Sequence, residues 1–539
     1  MPHLLGIVVD ATDATVQIRL KSPEVVVRGE LLATQDNSHR YIMRVTNIRT
    51  NKLLTDGEVA KISRLRSESQ DVEIPDEEAR CFKIASAVLI AQLDSNGTPH
   101  PATSRPGLFT SVETITDDDC RSLGFGLGDI EIGLLRAGHE VSKWPVRVSG
   151  WDVFRHHLLI CSATGGGKTN LGKNLARSVM EADNGRYSMV VIDTESEYLD
   201  GGDSSHYGLI HLPKSENHLL LVTSEVERPE KLQRLVEIDG KTYSRSVNAY
   251  PLQVFLDQLH PADVVETGEF THAQESLMWL SFSRKHANWI DFLLEESMDQ
   301  IYQQLGGKVH KSTIAVTKRK LGLLVAGDGI FRSGRTGLDL IRAILGAVKK
   351  GRVVLIDMVA SNELQERLLT LLIGRRVFSY YEYMKRTRTV DWESLPTCTI
   401  LLEEAHQYLS REKALLRGGS ADNVFSTISK RGRKYHVGLC CITQMPSELP
   451  EQILRQQLTK IILPLPTQPD YLTVERYTPY LSEAAEEVRS LDRGEALIVS
   501  PPAGTNFVLP VTIRRFEDTV TEAISVEETE PLEAATKAN

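Results

Sequence analysis

Two patterns of hydrophobic and polar positions divide the chain. Over about the first 130 residues, short runs rich in Val and Ile alternate with polar positions, and turn residues separate them. In one run Val16, Ile18 and Leu20 share a face. Alternation with a period of two predicts strands that bury one side. Short strands at this spacing are typical of a small barrel or sandwich. We therefore predict a β-barrel domain over 1–130 and a connection over 131–150.

From about residue 151 apolar runs alternate with helical segments, which predicts an α/β domain with a parallel sheet, over 131–515. The predicted strands cover 158–161, 189–192, 352–357, 399–402, 438–442, 460–464 and 495–500. Strand-like runs are sparse between about 213 and 345, and Gln274 to Phe282 and Trp289 to Leu305 have helical patterns, so we predict a helical insertion there. The acidic segment 516–539 predicts a mobile tail or an exposed helix.

Composition narrows the class of protein. A length of 539 residues predicts two or three domains. A net charge of −10 argues against a protein coated with nucleic acid, although a basic pore inside an acidic ring remains compatible with it. No apolar run approaches the roughly 18–20 residues that cross a bilayer, so we expect no membrane insertion. The six cysteines lack zinc or disulfide spacing, which predicts a reducing, cytoplasmic location.

The segment Ser162 to Thr169 fits the phosphate-loop pattern G-x-x-x-x-G-K-[ST] at every position but the first. Glycines let backbone N–H groups surround phosphate oxygens at the positive end of the following helix. Lys168 is expected to reach the β- and γ-phosphates of ATP, and the Thr169 hydroxyl to ligate Mg²⁺. The alternative is a plain Gly-rich turn before a helix. The predicted nucleotide-binding residues are Ala163, Thr164, Gly165, Gly166, Gly167, Lys168, Thr169 and Asn170.

Two acids follow the predicted strand at 399–402. A phosphate loop requires carboxylates from a second strand for Mg²⁺ and for the attacking water. We expect Glu403 to contact the Mg²⁺ shell and Glu404 to orient or deprotonate the water, provided that this strand neighbours the phosphate-loop strand. Alternatively, the two acids are solvated and begin a helix. A further acidic cluster, Asp193 to Tyr198, follows another strand and has a solvated loop as its alternative.

A sensor and an arginine finger are predicted around the strand at 438–442. Gln444 follows this strand, where an amide can read the γ-phosphate. Arg431 and Arg433 precede it, where they can reach ATP held by a neighbouring subunit. The two arginines could instead bind DNA phosphates or form a solvated helix end.

With these motifs the chain resembles the HerA branch of the HerA/FtsK family of DNA-pumping ATPases. The shared motifs lie in the family's order over about 150–465. They are Arg155-His156, Thr164 to Asn170, Asp193 with Glu197 and Tyr198, Glu403 to His406, Gly432 to Gly438, Thr443 to Ser447, and Ile453 to Leu463. The resemblance implies a RecA-like ATPase domain after a small barrel. The chain departs from the family pattern at Ser162, Glu403 and Met445, where the family has Gly, Asp and Arg.

The resemblance also implies partners. These are a homo-hexamer around double-stranded DNA, ATP sites at subunit interfaces, and a nuclease of the NurA kind or a sirtuin-like effector enzyme. Candidate DNA-contacting residues are Arg411, Lys413 and Arg417, or the run from Lys318 to Lys320. A solvated surface is the alternative for each.

Three functions follow as hypotheses. In the first, ATP hydrolysis drives duplex DNA through a ring for end processing, in repair or antiviral defence. In the second, the ring is an ATP-gated scaffold that controls an effector enzyme. In the third, the chain is a conjugation-type pump at a membrane, which the absence of an apolar span disfavours. Stimulation of ATP hydrolysis by DNA separates the first from the second.

Overall fold

The computed structural model describes two compact units. The first comprises Met1–Val148 and Thr478–Ile513, and the second comprises Ser149–Tyr477 and Arg514–Asn539. The structure describes the chain apart from residues 1–2, 13–14, 37–38, 70–73, 183–184, 204, 326–329, 335–337, 359–361, 410–422 and 538–539, and it describes 528–537 by backbone alone.

A closed barrel forms the start of the first unit. Its strands are β1 (Leu4–Ala11), β2 (Val16–Leu20), β3 (Leu31–Asp36), β4 (His39–Lys52), β5 (Cys81–Leu93), β6 (Pro99–His100) and β7 (Ser111–Thr114). Neighbours pair in the order β2-β1-β7-β3-β4-β5, and β2 also pairs with β5, which closes six antiparallel strands. Val16, Ile18 and Leu20 are buried as their alternation predicts. The predicted barrel is thus confirmed.

Three helices and a hairpin complete this part of the chain. The helices are α1 (Asp56–Ser67), α2 (Glu77–Arg80) and α3 (Asp117–Ser122). The hairpin consists of β8 (Ile130–Ala137) and β9 (Glu140–Val148), which pair antiparallel. Most of the residues over 131–150, which were predicted as a connection, therefore form strands. The strand β9 was not predicted because its polar positions, which lie on an exposed side, resemble a connection.

A mainly parallel sheet forms the second unit. Its strands are β10 (Leu158–Cys161), β11 (Tyr187–Asp193), β12 (Leu219–Thr223), β13 (Glu230–Ile238), β14 (Lys241–Pro251), β17 (Val353–Asp357), β18 (Thr397–Leu402), β19 (Val437–Thr443) and β20 (Thr459–Ile462), while β15 (Val254–Phe255) and β16 (Phe331–Arg332) pair separately. The order is β13-β14-β12-β17-β11-β18-β19-β10-β20. Only β13 runs antiparallel to its neighbour among these described pairs. Strands β10, β11, β12, β18, β19 and β20 are buried throughout, as expected for a sheet covered on both faces.

The region predicted as a helical insertion also carries strands. Strand β12 lies inside the sheet between β14 and β17, and β13 and β14 form a long hairpin. The run Leu219–Thr223 is too short and too uniformly apolar for periodicity to distinguish strand from helix. The helical patterns at 274–282 and 289–305 are confirmed, since helices cover His272–Lys285, Trp289–Glu295 and Met298–Gln304.

The helices of the second unit connect its strands. They are α4 (Gly150–Arg155), α5 (Lys168–Glu181), α6 (Ser215–His218), α7 (Pro261–Val265), α8 (His272–Lys285), α9 (Trp289–Glu295), α10 (Met298–Gln304), α11 (Lys311–Val325), α12 (Leu340–Val348), α13 (Glu363–Thr387), α14 (Thr389–Glu393), α15 (Val424–Arg431), α16 (Glu451–Gln456) and α17 (Gln468–Tyr477). In the described chain, no helix is both long and apolar enough to span a bilayer.

The chain then returns to the first unit and leaves it again. The returning elements are α18 (Ala485–Arg489), β21 (Glu495–Ser500) and β22 (Thr505–Thr512). Strand β22 pairs antiparallel with both β21 and β8, so the predicted strand at 495–500 belongs with the first unit and not with the α/β domain. The last helix, α19 (Phe516–Lys537), belongs to the second unit and buries Phe516, Val520 and Ile524.

Candidate nucleotide-binding site

The phosphate loop joins the buried strand β10 to α5. Gly165 and Gly167 adopt left-handed φ angles of +75° and +104°, which favour glycine. The Ser162 N–H donates to the Thr443 carbonyl at 3.2 Å, and the Ala163 N–H donates to the Pro464 carbonyl at 2.8 Å. These bonds tie the loop to the end of β19 and to the segment that follows β20. The loop therefore has the strand-turn-helix geometry that phosphate binding requires.

Ser162 departs from the pattern without opening the turn. Its side chain is buried, and its hydroxyl donates to the Ala163 carbonyl at 2.9 Å. A Cβ on Gly166 would lie 2.1 Å from the Ser162 Oγ. The serine thus occupies the space that a side chain at 166 would need, which makes glycine necessary at that position.

Lys168, Glu404 and Gln444 meet at the carboxyl end of the sheet. The Lys168 Nζ lies 3.0 Å from the Glu404 Oε1, and the Gln444 Nε2 donates to the same oxygen at 2.7 Å. The Thr164 hydroxyl donates to the Gln444 Oε1 at 2.5 Å. The structure therefore brings the predicted lysine, acid and amide together beside the phosphate loop.

The acid-bearing strand does not neighbour the phosphate-loop strand, contrary to the condition set by the sequence. Strand β19 lies between β18 and β10. Glu404 still reaches Lys168, since its left-handed backbone, with φ of 43°, turns the chain just beyond β18. Gln444 directly follows the intervening strand β19 and contacts the same Glu404 oxygen as Lys168.

Glu403 occupies a buried acidic pocket beside this group. The Tyr198 hydroxyl donates to its Oε1 at 2.7 Å. Burial, opposed by this hydrogen bond, raises the pKa of Glu403 to about 7, with further raising contributions from the charges of Asp193 and Glu197. Carboxylates close enough to repel each other form the oxygen-rich donor set that suits Mg²⁺. The residues present therefore fit the predicted cation.

Asp193 has a structural part in that pocket. Its carboxylate accepts the N–H of Tyr198 at 3.0 Å, and those of Glu195 and Glu197 at 3.3 Å each. Burial raises its pKa to about 6. The turn that it caps delivers Tyr198 against α5, where a Cβ on Gly172 would lie 2.1 Å from the Tyr198 hydroxyl oxygen. Sequence reasoning noted Asp193 and Tyr198 but missed Gly172, whose signal was only a glycine inside a helix.

Arg431 and Arg433 lie at the opposite edge of the sheet. Both precede β19, whereas Gln444 follows it, and a strand of seven residues spans about 23 Å. Arg431 donates to the Glu382 carboxylate at 2.7 Å. Arg433 is exposed. Neither arginine belongs to the phosphate site of this chain.

Comparisons with known proteins agree with this geometry. Residues 130–377 match the family described as "Helicase HerA, central domain". The DNA double-strand break repair helicase HerA of Saccharolobus solfataricus is 26% identical over 73% of this chain and 70% of its own length. The protein of the same name from Sulfolobus acidocaldarius is 24% identical over 90% of this chain and 88% of its own. The chain is therefore similar to HerA-type P-loop ATPases. Among solved structures, the alignment with the bacterial conjugative coupling protein TrwB covers 71% of this chain and 88% of the TrwB chain, with 12% identity and a TM-score of 0.45.

Asn170, predicted to bind the nucleotide, and Arg155, part of a motif shared with HerA, both make other contacts in the structure. The Asn170 side chain, expected at the nucleotide, donates to the Arg514 carbonyl at 2.9 Å and accepts the Phe516 N–H at 2.8 Å. Arg155 precedes β10, at the edge away from the phosphate loop, and stacks over Trp151 at 4.7 Å. Neither side chain is directed to the phosphate loop, because each is engaged by its local packing.

The candidate DNA-contacting residues have different outcomes. Arg411, Lys413 and Arg417 lie outside the described residues. On α11, Lys318 donates to the Glu296 carbonyl at 2.6 Å and Lys320 to the Glu269 carbonyl at 2.5 Å. The two lysines thus fasten neighbouring segments of the chain, and Arg319 alone of the three is exposed.

Proposed function

We propose that this HerA-type ATPase is a translocase of double-stranded DNA that works as a homo-hexameric ring. One observation carries the proposal. Lys168, Glu404 and Gln444 lie at one edge of the sheet, whereas the two arginines at 431 and 433 lie at the opposite edge. An arginine that stabilises transition-state charge must then come from a neighbouring subunit. A closed ring supplies such a neighbour to every site. The relatives named as DNA double-strand break repair helicases support DNA as the substrate.

The residues of the phosphate site divide the work of hydrolysis. The phosphate loop and Lys168 bind and orient the β- and γ-phosphates. Because the Lys168 Nζ now pairs with the Glu404 Oε1, binding of phosphate by Lys168 releases that oxygen toward the attacking water. Gln444 contacts Glu404 and Thr164 together, so it can report the presence of the γ-phosphate to β19. Bound Mg²⁺ would be held by Thr169 and Glu403 and would neutralise phosphate charge.

The partners belong to the same proposal. DNA end processing calls for a nuclease, for which a NurA-like enzyme is our candidate, in repair or in antiviral defence. The described cysteines are all free thiols, which supports a reducing cytoplasmic location. The second candidate is an ATP-gated scaffold around a sirtuin-like or other effector enzyme. It is favoured because two of the candidate DNA-contacting residues on α11, Lys318 and Lys320, donate to backbone carbonyls of this chain.

Steady-state ATP hydrolysis with and without linear duplex DNA at low salt tests the proposal. We expect DNA to stimulate hydrolysis by the wild type and to have no effect on Lys168→Ala. The stimulation should fall as salt rises, since phosphate contacts release counterions. Hydrolysis that ignores DNA but responds to an added effector enzyme would favour the scaffold.

A further inference from the structure

A polar face of the phosphate-loop helix holds the segment that follows Ile513. Asn170 and Asn174, four residues apart on α5, both donate from Nδ2 to the Arg514 carbonyl at 2.9 Å. The Asn170 Oδ1 accepts the Phe516 N–H at 2.8 Å. Residues at i and i+4 lie on one side of a helix, so the two amides act on the same stretch of backbone. We call Asn170 and Asn174 the amide clamp.

Lys173, on the same face of α5, adds an indirect connection. Its Nζ donates to the Tyr207 carbonyl at 3.0 Å, and the Tyr207 N–H donates to the Glu517 carboxylate at 3.3 Å. Lys173 is 6% exposed, and burial lowers its pKa. The first turn of α19 is therefore joined to α5 directly by the hydrogen bond of Asn170 and indirectly by the hydrogen bonds of Tyr207 with Lys173 and Glu517.

The clamp begins inside the nucleotide site. Asn170 directly follows Lys168 and Thr169 in the first turn of α5. Any ordering of that turn by phosphate also orders the two groups of Asn170 that hold Arg514 and Phe516. Beyond the clamp, α19 buries Phe516, Val520 and Ile524. The clamp can therefore position the start of α19 so that these apolar side chains pack.

We propose that the amide clamp couples nucleotide binding to the docking of α19. Asn170 is then a positioning residue whose side chain reads the state of the phosphate loop, and not a ligand of the nucleotide. Binding of nucleotide stabilises the first turn of α5, the clamp holds 514–516 more firmly, and the start of α19 opens less often. Such a coupling is reciprocal, so loss of the clamp weakens nucleotide binding by the same factor.

Hydrogen exchange tests the clamp in the full-length protein. Amide exchange is measured over 516–527 with and without Mg²⁺ and ATPγS. We expect nucleotide to slow wild-type exchange there by about 5-fold or more, the lower end of common coupling strengths. The double variant Asn170→Ala/Asn174→Ala should lose this response even when ATPγS is raised enough to saturate its weakened binding, which is measured alongside. Asn170→Asp keeps the acceptor for Phe516 and loses one donor, so it should respond weakly.

Asn248→Ala is the matched control. The Asn248 Nδ2 also donates to a backbone carbonyl, that of Glu216 at 2.8 Å, in the same unit. It should keep the full response. Two results would overturn the proposal: wild-type exchange that nucleotide leaves unchanged, or a double variant that binds ATPγS and still responds. A double variant that folds but no longer binds ATPγS would instead make the asparagines nucleotide ligands. If it does not fold, a full response in Asn170→Asp overturns the proposal.

Discussion

At the scale of single residues, the hydrogen bonds of Glu404 support the proposal that it is the general base, held in place until phosphate binds. Its Oε1 accepts from Lys168 and Gln444, and the His406 Nδ1 lies 3.4 Å from its Oε2. Glu403, one residue earlier, instead faces Tyr198 in the buried acidic pocket. Adjacent acids thus have separate surroundings, which accounts for separate roles.

Glu404→Gln should abolish most hydrolysis while leaving nucleotide binding intact. The amide keeps the size of the carboxylate and one acceptor oxygen but cannot accept a proton from water. The expected loss in kcat is about 10²- to 10⁴-fold, the usual contribution of a general base. Steady-state hydrolysis and fluorescent-nucleotide binding measure the two effects. Glu451→Gln, on the exposed α16 pair with Arg455, serves as the control. Full activity in Glu404→Gln would contradict the assignment.

Tyr198→Phe should destabilise the fold because it removes the donor to a buried carboxylate. Loss of a hydrogen bond to a charged group costs about 1–3 kcal/mol. Denaturant unfolding measures the change in the free energy of unfolding. An unchanged free energy of unfolding would show that Glu403 does not depend on this hydroxyl.

His157 should contribute to acid sensitivity. It is buried, its Nδ1 accepts the Leu439 N–H at 3.0 Å, and burial lowers its pKa to about 4. A histidine in the unfolded chain titrates near pH 6.5. The unfolded state therefore binds more protons between these values, so the stabilising contribution is complete above pH 6.5 and is lost as the pH falls toward 4.

The measurement compares wild type with His157→Gln in urea at pH 7.5 and pH 5. On this change of pH, the wild type should lose about 2 kcal/mol more of its unfolding free energy than the variant loses. Equal pH dependence in the wild type and His157→Gln would contradict the buried neutral form.

At the scale of elements, the acidic composition of 516–539 predicts a mobile tail or an exposed helix, whereas α19 is a helix with buried apolar residues. Its apolar residues at 516, 520 and 524 form a narrow stripe that packs in the second unit. Ile524→Ala should lower the unfolding free energy by about 2–5 kcal/mol, the usual cost for a buried isoleucine. Val526→Ala, at a position that is 59% exposed, is the control. Equal effects of the two substitutions on thermal or denaturant unfolding would mean that the helix is not docked.

The sequence predicts the parts of the fold that local pattern controls. The barrel strands, the phosphate loop and the buried strands ending at Asp193, Leu402 and Thr443 follow from periodicity and turn residues. The order of the strands does not follow from them, because pairing between distant segments is decided by packing. For this reason the position of β19 between β18 and β10, and the membership of β21, were not predictable. The amide clamp was hidden because the motif assigned Asn170 to the nucleotide, and Asn174 looks like part of a solvent-facing side of α5.

At the scale of the whole molecule, the separation of Arg433 from Lys168 predicts complementation between subunits. Arg433→Ala should lower ATP hydrolysis strongly without weakening ATP binding, as an arginine finger contributes about 10³- to 10⁵-fold. Mixing it with Lys168→Ala should restore part of the activity, since mixed rings contain some complete sites. The mixture of Lys168→Ala with Glu404→Gln, both at one sheet edge, should stay inactive. No recovery in the first mixture would contradict a finger supplied in trans.

Displacement of a third strand from a DNA triplex tests the central claim most directly. The protein would be given ATP, Mg²⁺ and linear duplex DNA that carries a labelled third strand far from its end, at low salt. The account predicts that wild type releases the third strand only when ATP is hydrolysed, and that Lys168→Ala and Glu404→Gln release none. If the wild type hydrolyses ATP on this DNA but leaves the triplex intact, it does not move along duplex DNA and the translocase account fails.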